Sequence, residues 1–240
     1  MESNTIWSFP DRGNWATHDG KYRGNWSPYI VRNLLLRYSF PGDLVLDQFV
    51  GGGTTLVEAK LLNRNAIGVD VNPAALQSCK EKCDFSYKTD SRVYIKRGDA
   101  RNLKFIPDST IDFVCTHPPY ADIIKYSEDI KEDISHFREK EFLLAMTQVA
   151  EESFRVLKLK KYCAILMGDI RKNGHVVSLG FKVMQEFQKA GFLLKEIIIK
   201  EQHNCKSTTY WKQKSKKCNF LLLAHEYLFV FEKSSTVGIM

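Results

Sequence analysis

The stretch Leu44-Val45-Leu46-Asp47-Gln48-Phe49-Val50-Gly51-Gly52-Gly53-Thr54-Thr55 decides the fold. Its first half is a short apolar run, the kind that is buried in a parallel sheet. Three glycines follow. They permit a tight turn and let a ligand approach the backbone closely. Thr54 to Leu62 reads as a helix, and the first turn of a helix offers free N–H groups to an anionic group. No Gly-Lys-Ser/Thr follows the glycines, so the lysine of a phosphate-binding loop is missing and ATP hydrolysis fits poorly.

Outward from this unit, apolar residues fall at helical spacing from Tyr29 to Tyr38, and Pro41-Gly42-Asp43 is a turn. Strands are expected at Ala66–Asp70, Val93–Ile95, Ile111–Cys115, Tyr162–Met167, Leu193–Ile199 and Glu226–Phe231. Helices are expected at Pro73–Cys83, Glu139–Leu157 and Val176–Ala190, the last ended by Gly191. This alternation predicts a three-layer, Rossmann-like α/β fold with a mostly parallel seven-stranded sheet. The last two strands have no helix between them in this reading and would form an antiparallel C-terminal hairpin across the insert 200–222. Residues 1–28 place Trp7, Trp15 and Trp26 among Gly13, Gly20, Gly24, Pro10 and Pro28, and read as an irregular arm lying over the main body. With no repeat and no linker, 1–240 is expected to form a single domain.

Composition supports a globular chain. Of 240 residues, 44% are hydrophobic and 26% charged, which excludes wholesale disorder. The 35 Lys+Arg against 28 Asp+Glu leave a formal charge of +7, which permits a polyanion partner without requiring one. No apolar run approaches the ~20 residues a bilayer needs, and the N-terminus shows no secretory pattern. A cytoplasmic location is expected, with no membrane partner. The six cysteines, 79, 83, 115, 163, 205 and 218, are expected as free thiols, and their spacing suits no metal.

The acids around the loop narrow the ligand. Asp70 lies at the end of the next strand, about twenty residues on, where a carboxylate accepts hydrogen bonds from ribose hydroxyls. Asp99, after the third strand, falls beside the adenine. Asp47, just before the glycines, would repel a pyrophosphate but can pair with an ammonium. S-adenosylmethionine carries an ammonium and NAD does not, so the loop favours S-adenosylmethionine.

After the fourth strand comes Thr116-His117-Pro118-Pro119-Tyr120. Two prolines stiffen the backbone where an open parallel sheet binds ligands. An aromatic beside them can stack on a planar base, and fixed carbonyls can hold an exocyclic amino group.

On these two motifs the chain resembles the DNA amino-methyltransferases, which methylate N4 of cytosine or N6 of adenine. There the loop reads Asp-Pro-Phe-x-Gly-Ser-Gly-Thr-Thr and the catalytic motif Asp/Asn/Ser-Pro-Pro-Tyr/Phe/Trp. The resemblance spans most of residues 24–233, including Pro41-Gly42-Asp43, Arg155-Val156-Leu157-Lys158 and His225-Glu226-Tyr227. It implies the S-adenosylmethionine-dependent methyltransferase fold. It also implies that Asp47, Phe49, Gly51, Gly53, Thr54 and Thr55 bind the cofactor, with Asp70 on the ribose and Asp99 on the adenine. Trp26 and Ser27 would belong to the segment that closes over the cofactor. His117, Pro118, Pro119 and Tyr120 would be catalytic. The glycine loop precedes the Pro-Pro-Tyr motif, a permuted order relative to members that place the catalytic motif first.

Three positions depart from the pattern: Gln48 for Pro, Gly52 for Ser, and His117 for Asp, Asn or Ser. Neutral imidazole has one acceptor nitrogen and can replace the usual oxygen; imidazolium cannot. With an ordinary imidazole, activity is therefore expected to fall on acidification through the range 8 to about 5.5. Thr116 before it resembles the N4-cytosine form, a slight lean toward cytosine.

The expected substrate is double-stranded DNA with the target base flipped out, which would associate the protein with the nucleoid. Two loops are candidates for contact. One is 121–137 with Lys125. The other is 200–222, where Lys200, Lys206, Lys212, Lys214, Lys216 and Lys217 surround Tyr210 and Trp211; Arg171 is a further phosphate candidate. A homodimer or a second specificity or restriction subunit would supply what 240 residues lack for site recognition. The competing readings are an RNA amino-methyltransferase and a noncatalytic DNA-binding subunit disabled by His117.

Overall fold

The computed structural model describes residues 1–204 and 208–235. Its sheet strands are β1 (Ile6–Trp7), β2 (Leu44–Asp47), β3 (Asn65–Asp70), β4 (Val93–Arg97), β5 (Ile111–Thr116), β6 (Leu157–Met167), β9 (Leu193–Glu201) and β10 (His225–Glu232). They lie in the order β1-β9-β10-β6-β5-β2-β3-β4. A separate hairpin pairs β7 (Ile170–Lys172) with β8 (His175–Val177). The helices are α1 (Pro28–Tyr38), α2 (Thr54–Leu61), α3 (Pro73–Cys83), α4 (Glu139–Val156), α5 (Leu179–Lys189) and α6 (Thr208–Lys217).

β2, β3, β4, β5 and β6 pair in parallel, and β10 runs antiparallel to both β6 and β9. Among the described residues the sheet has eight strands, one more than the sequence predicts. Ile6 and Trp7 add to the edge of β9 in parallel, and Trp7 is 1% exposed. A two-residue strand has no periodicity to read, so only the packing of Trp7 reveals it.

Two apolar clusters cover the two faces. One contains Leu46, Phe142, Met146, Ile165, Phe187 and Phe229; the other contains Trp26, Ile30, Leu34, Val45, Leu56 and Phe113. Neighbouring residues of β2, Val45 and Leu46, belong to opposite clusters, as the pleat requires. Ser27 caps α1 by accepting from the Tyr29 N–H, and Asn72 caps α3 in the same way; each helix has Pro at its first turn.

The chain leaves β2 toward β3 and β4 on one side, then returns to β5 on the other. The crevice outside the carboxyl ends of β2 and β5 is therefore the topological switch point, where open α/β sheets bind ligands. The glycine loop and the Pro-Pro-Tyr motif both end there.

The predicted insert 200–222 is not a plain loop. β9 runs on to Glu201 and α6 occupies Thr208–Lys217. Likewise the helix expected from Val176 starts at Leu179, because β8 and its turn at Gly174 take the preceding residues. Among the described residues no helix is long and apolar enough to cross a membrane.

Candidate active site

A cleft enclosing about 740 Å³, part of it open to solvent, lies at the switch point. Its walls come from the glycine loop (Gln48, Phe49, Gly51), the end of β3 (Asp70, Asn72) and the turn after β4 (Gly98, Asp99, Arg101). His117 and Pro119 form a further wall, and Trp26 of the arm closes one side.

Backbone geometry makes the loop. Gly51 and Gly53 have φ of +46° and +85°, which side-chain-bearing residues rarely adopt. A Cβ at Gly53 would also stand 2.7 Å from Cys79 Sγ, so α3 packs directly on the turn. Asp70 holds the loop to β3. Its carboxylate accepts from the Gly51 N–H at 3.0 Å and from the Asn72 N–H at 2.9 Å. Burial pushes its carboxyl up, against the pull of those N–H groups.

Asp47 lies elsewhere than the sequence reading puts it. It is 2% exposed and stands behind the cleft wall. It accepts from Thr55 Oγ1 at 2.5 Å, from Thr116 Oγ1 at 2.7 Å and from the Phe49 N–H at 3.1 Å. Burial raises its pKa to about 6, although these three donors oppose the shift. The residue ties the glycine loop, α2 and the end of β5 into one unit, and its carboxylate is enclosed by those donors. Thr116 is 0% exposed, and its hydroxyl donates to Asp47.

Gly53, Thr54, Thr55, Ser27, Pro118 and Tyr120 also lie outside the cleft wall. Thr54 Oγ1 donates to Asn25 Oδ1 at 2.6 Å and so latches the arm to the loop. Ser27 Oγ donates to the Arg12 carbonyl within the arm. Asp99 faces the cleft, but Arg101 grips its carboxylate through Nε and Nη2 at 2.7 to 3.1 Å.

Several wall residues carry no sequence signal. Tyr22 and Tyr126 stack at 6.3 Å, and the Tyr22 ring covers Gly51. Tyr126, Glu132, Asp133 and Ile134 belong to the segment 121–137, which the sequence reading assigns to DNA contact. In the structure this segment folds over the cleft. Asn72 Nδ2 donates to the Tyr126 carbonyl, and Ser127 Oγ donates to Asp133. Only its outer residues, Lys125 among them, face solvent. Period-based reading misses this because the segment contains only turns and two short 3₁₀ helices, Ala121–Ile123 and Ile134–His136.

The cleft fits S-adenosylmethionine. Gln48, in the wall, donates through Nε2 to Ser153 Oγ, while its Oε1 is buried with no protein partner, an unsatisfied acceptor at the site. Asp70 offers a carboxylate, the glycines leave the loop backbone bare, and Tyr22, Phe49 and Trp26 supply apolar faces. When bound, this cofactor supplies a methyl group on a sulfonium.

His117 reaches Tyr120 Oη with Nε2 at 2.9 Å, and its ring lies 5.6 Å from that of Trp26. Burial lowers its pKa to about 4; Glu226 pulls the other way, while Lys200 and Arg12 reinforce the drop. The imidazole is neutral at pH 7. Burial thus moves the titration below the range from pH 8 to about 5.5 over which an ordinary imidazole is expected to cost activity.

The DNA candidates are dispersed. Arg171 donates to the Gly174 and Leu221 carbonyls and stacks on Phe220, so its guanidinium is committed. Lys200 turns inward to Glu226. Tyr210, Trp211, Lys212 and Lys214 stand exposed on α6, with Lys214 Nζ 5.0 Å from the Trp211 ring centroid. Lys206 lies outside the described residues.

The model of the DNA methylase family, the N6 and N4 methyltransferases, matches residues 1–81 and 111–237. The chain belongs to this DNA methylase family. S-adenosylmethionine is the family's cofactor and that of this chain. Among curated relatives, it is 34% identical over 101 residues to a tRNA (guanine(10)-N2)-dimethyltransferase of Methanothermobacter thermautotrophicus, covering 42% of this chain and 29% of that one. It is 27% identical over 119 residues to the Type II methyltransferase M.HpaI of Haemophilus parainfluenzae, covering 50% and 37%. The chain thus spans well under half the length of these relatives. Among solved structures, TrmN from Thermus thermophilus superposes with a TM-score of 0.58 at 19% identity, covering 88% of this chain and 50% of that one. A Methanosarcina mazei S-adenosylmethionine-dependent methyltransferase gives 0.58 at 15% identity, covering 84% and 97%. These two likenesses establish the fold.

Proposed function

We propose that the methylase transfers a methyl group from S-adenosylmethionine to the exocyclic amino group of a base in duplex DNA, N4 of cytosine or N6 of adenine. The observation that carries this reading is convergence: the glycine loop after β2 and His117 and Pro119 after β5 line one cleft at the switch point. Asp70 and the bare loop backbone hold the cofactor, with Asp99 and Arg101 beside the base-binding end of the nucleoside. The neutral His117 ring places no positive charge near a sulfonium. Pro118 and Pro119 fix the backbone, and Tyr120 is the face on which a flipped base stacks. Positioning and electrostatics supply the acceleration; no covalent intermediate is needed. α6, with its lysines and two exposed rings, is the proposed surface for the DNA backbone.

The test uses tritiated S-adenosylmethionine, unmethylated genomic DNA and nucleoside mass analysis. Label in N4-methylcytosine or N6-methyladenine is expected. Label confined to a parallel incubation with transfer RNA would overturn DNA in favour of RNA, the second reading, which the tRNA methyltransferase relative supports.

A further inference from the structure

Tyr120 is held both by its own motif and by groups that lie far from it in sequence. Its hydroxyl stands 2.8 Å from Glu226 Oε1 and 2.9 Å from His117 Nε2. Its ring lies on Gly168, where a Cβ would meet Tyr120 Cε2 at 2.8 Å. Glu226, in β10, is 8% exposed, and its second oxygen accepts from Lys200 Nζ at 2.9 Å. That ion pair follows from register, because Glu226 and Lys200 are direct partners across the β9–β10 ladder.

The protons in this chain can be placed. Burial pushes the Glu226 carboxyl up, but the Lys200 charge and hydrogen bonds from Lys200 and Tyr120 pull it down, and the net direction is below the ordinary value. Glu226 is therefore ionised and can only accept. Tyr120 has one hydroxyl proton and gives it to the carboxylate in a charge-assisted bond. Its oxygen is then an acceptor toward His117. A neutral His117 must carry its proton on Nε2, which leaves Nδ1 bare. The Gly24 carbonyl also attracts an imidazole proton. The opposite tautomer, however, needs the Tyr120 proton to leave Glu226, exchanging a bond to a charged group for a weaker one between neutral groups.

We infer that Glu226, clamped by Lys200, is a positioning residue that fixes the His117 tautomer through the Tyr120 hydroxyl, holding the proton on Nε2 and leaving Nδ1 as the acceptor nitrogen for the target amine. The role toward the amine rests on the amino-transfer reading; the tautomer does not. The relay gives an imidazole the acceptor character that an Asp, Asn or Ser oxygen has without assistance.

The experiment is histidine ¹⁵N NMR on the full chain at pH 7 without nucleic acid, with His117 assigned by its loss in His117→Asn. The wild type is expected to show the proton on Nε2 and a bare Nδ1. Glu226→Gln keeps the shape and removes the charge, and Tyr120→Phe keeps the ring and removes the hydroxyl. Both are expected to move the proton toward Nδ1. Both should lower kcat roughly 10- to 100-fold with the cofactor Kd unchanged, and the double variant should be no worse than Tyr120→Phe alone. A wild-type proton on Nδ1, or a tautomer indifferent to Glu226→Gln, overturns the relay. A tautomer that switches in a protein that methylates no base supports the relay and overturns the proposed function instead.

Discussion

His117 and Asp47 are ionisable groups that burial shifts in opposite senses. For His117 the folded pKa of about 4 lies below the ordinary 6.5. Its neutral form contributes stability that is present above about pH 6.5 and lost as pH falls through 4. For Asp47 the folded value of about 6 lies above the ordinary 3.8, so its contribution is present below 3.8 and lost as pH rises through 6. Between those limits the two oppose each other. At the catalytic step only His117 matters as an acceptor, so kcat is expected to stay level from pH 8 to about 5 and to fall as pH nears 4. A pH–rate profile with Asp47→Asn as the control separates the two groups; a fall centred near 6.5 would mean a solvent-like imidazole. The motif identified both residues from sequence. Their charge states were illegible there, because desolvation depends on neighbours such as Thr116, Glu226 and Lys200 that are distant in sequence.

At the scale of elements, the arm and α2 form one unit through Glu58. This α2 residue is 0% exposed. Its Oε1 faces Trp15 Nε1 at 2.6 Å and His18 Nε2 at 2.8 Å, and its Oε2 accepts from Arg32 at 3.0 Å. α2 is also the helix that the glycine loop opens, so the arm, with Trp26 at the cleft, is fixed to the cofactor loop. Glu58→Ala leaves an indole N–H and the His18 and Arg32 side chains without their acceptor. It is expected to cost about 3–5 kcal/mol of stability and to weaken cofactor binding, read by denaturant unfolding and by calorimetric titration. An unchanged cofactor Kd would show that the arm does not shape the cleft. Sequence reading located α1 to α5, β2 to β6, β9 and β10 to within five residues at each end, because most have an apolar stripe or run and α2 follows directly on the glycine loop. It missed β1, the β7–β8 hairpin and α6. The first two are too short for a period, and α6 is a lysine-rich helix with no buried stripe to read.

For the whole molecule, the +7 charge is not spread evenly in its availability. Lys158 and Lys161 pair with Asp112, Lys82 pairs with Asp19, and Lys200 pairs with Glu226. α6 keeps Lys212, Lys214, Lys216 and Lys217 exposed within six residues. On the proposed DNA reading, replacing these four by Ala is expected to weaken duplex binding and to flatten the salt dependence. The slope of log K against log salt should fall by up to about 3.6, at roughly 0.9 per phosphate contact. Fluorescence anisotropy over a salt series measures it, with S-adenosylmethionine affinity as the control. An unchanged slope would move the DNA surface away from α6.

By itself the sequence determined the strand–helix alternation, the glycine loop, Asp70 one strand on and the Pro-Pro-Tyr motif. These are local in the chain, so composition and spacing carry them. Only the tertiary structure decided that Asp47 braces the cleft from behind and that residues 121–137 roof it. The same is true of the Tyr120 hydroxyl between His117 and Glu226. Each of these depends on which groups, 54 to 106 residues apart, the fold brings within hydrogen-bonding distance. Burial then sets which of them carry charge, and no linear pattern encodes that.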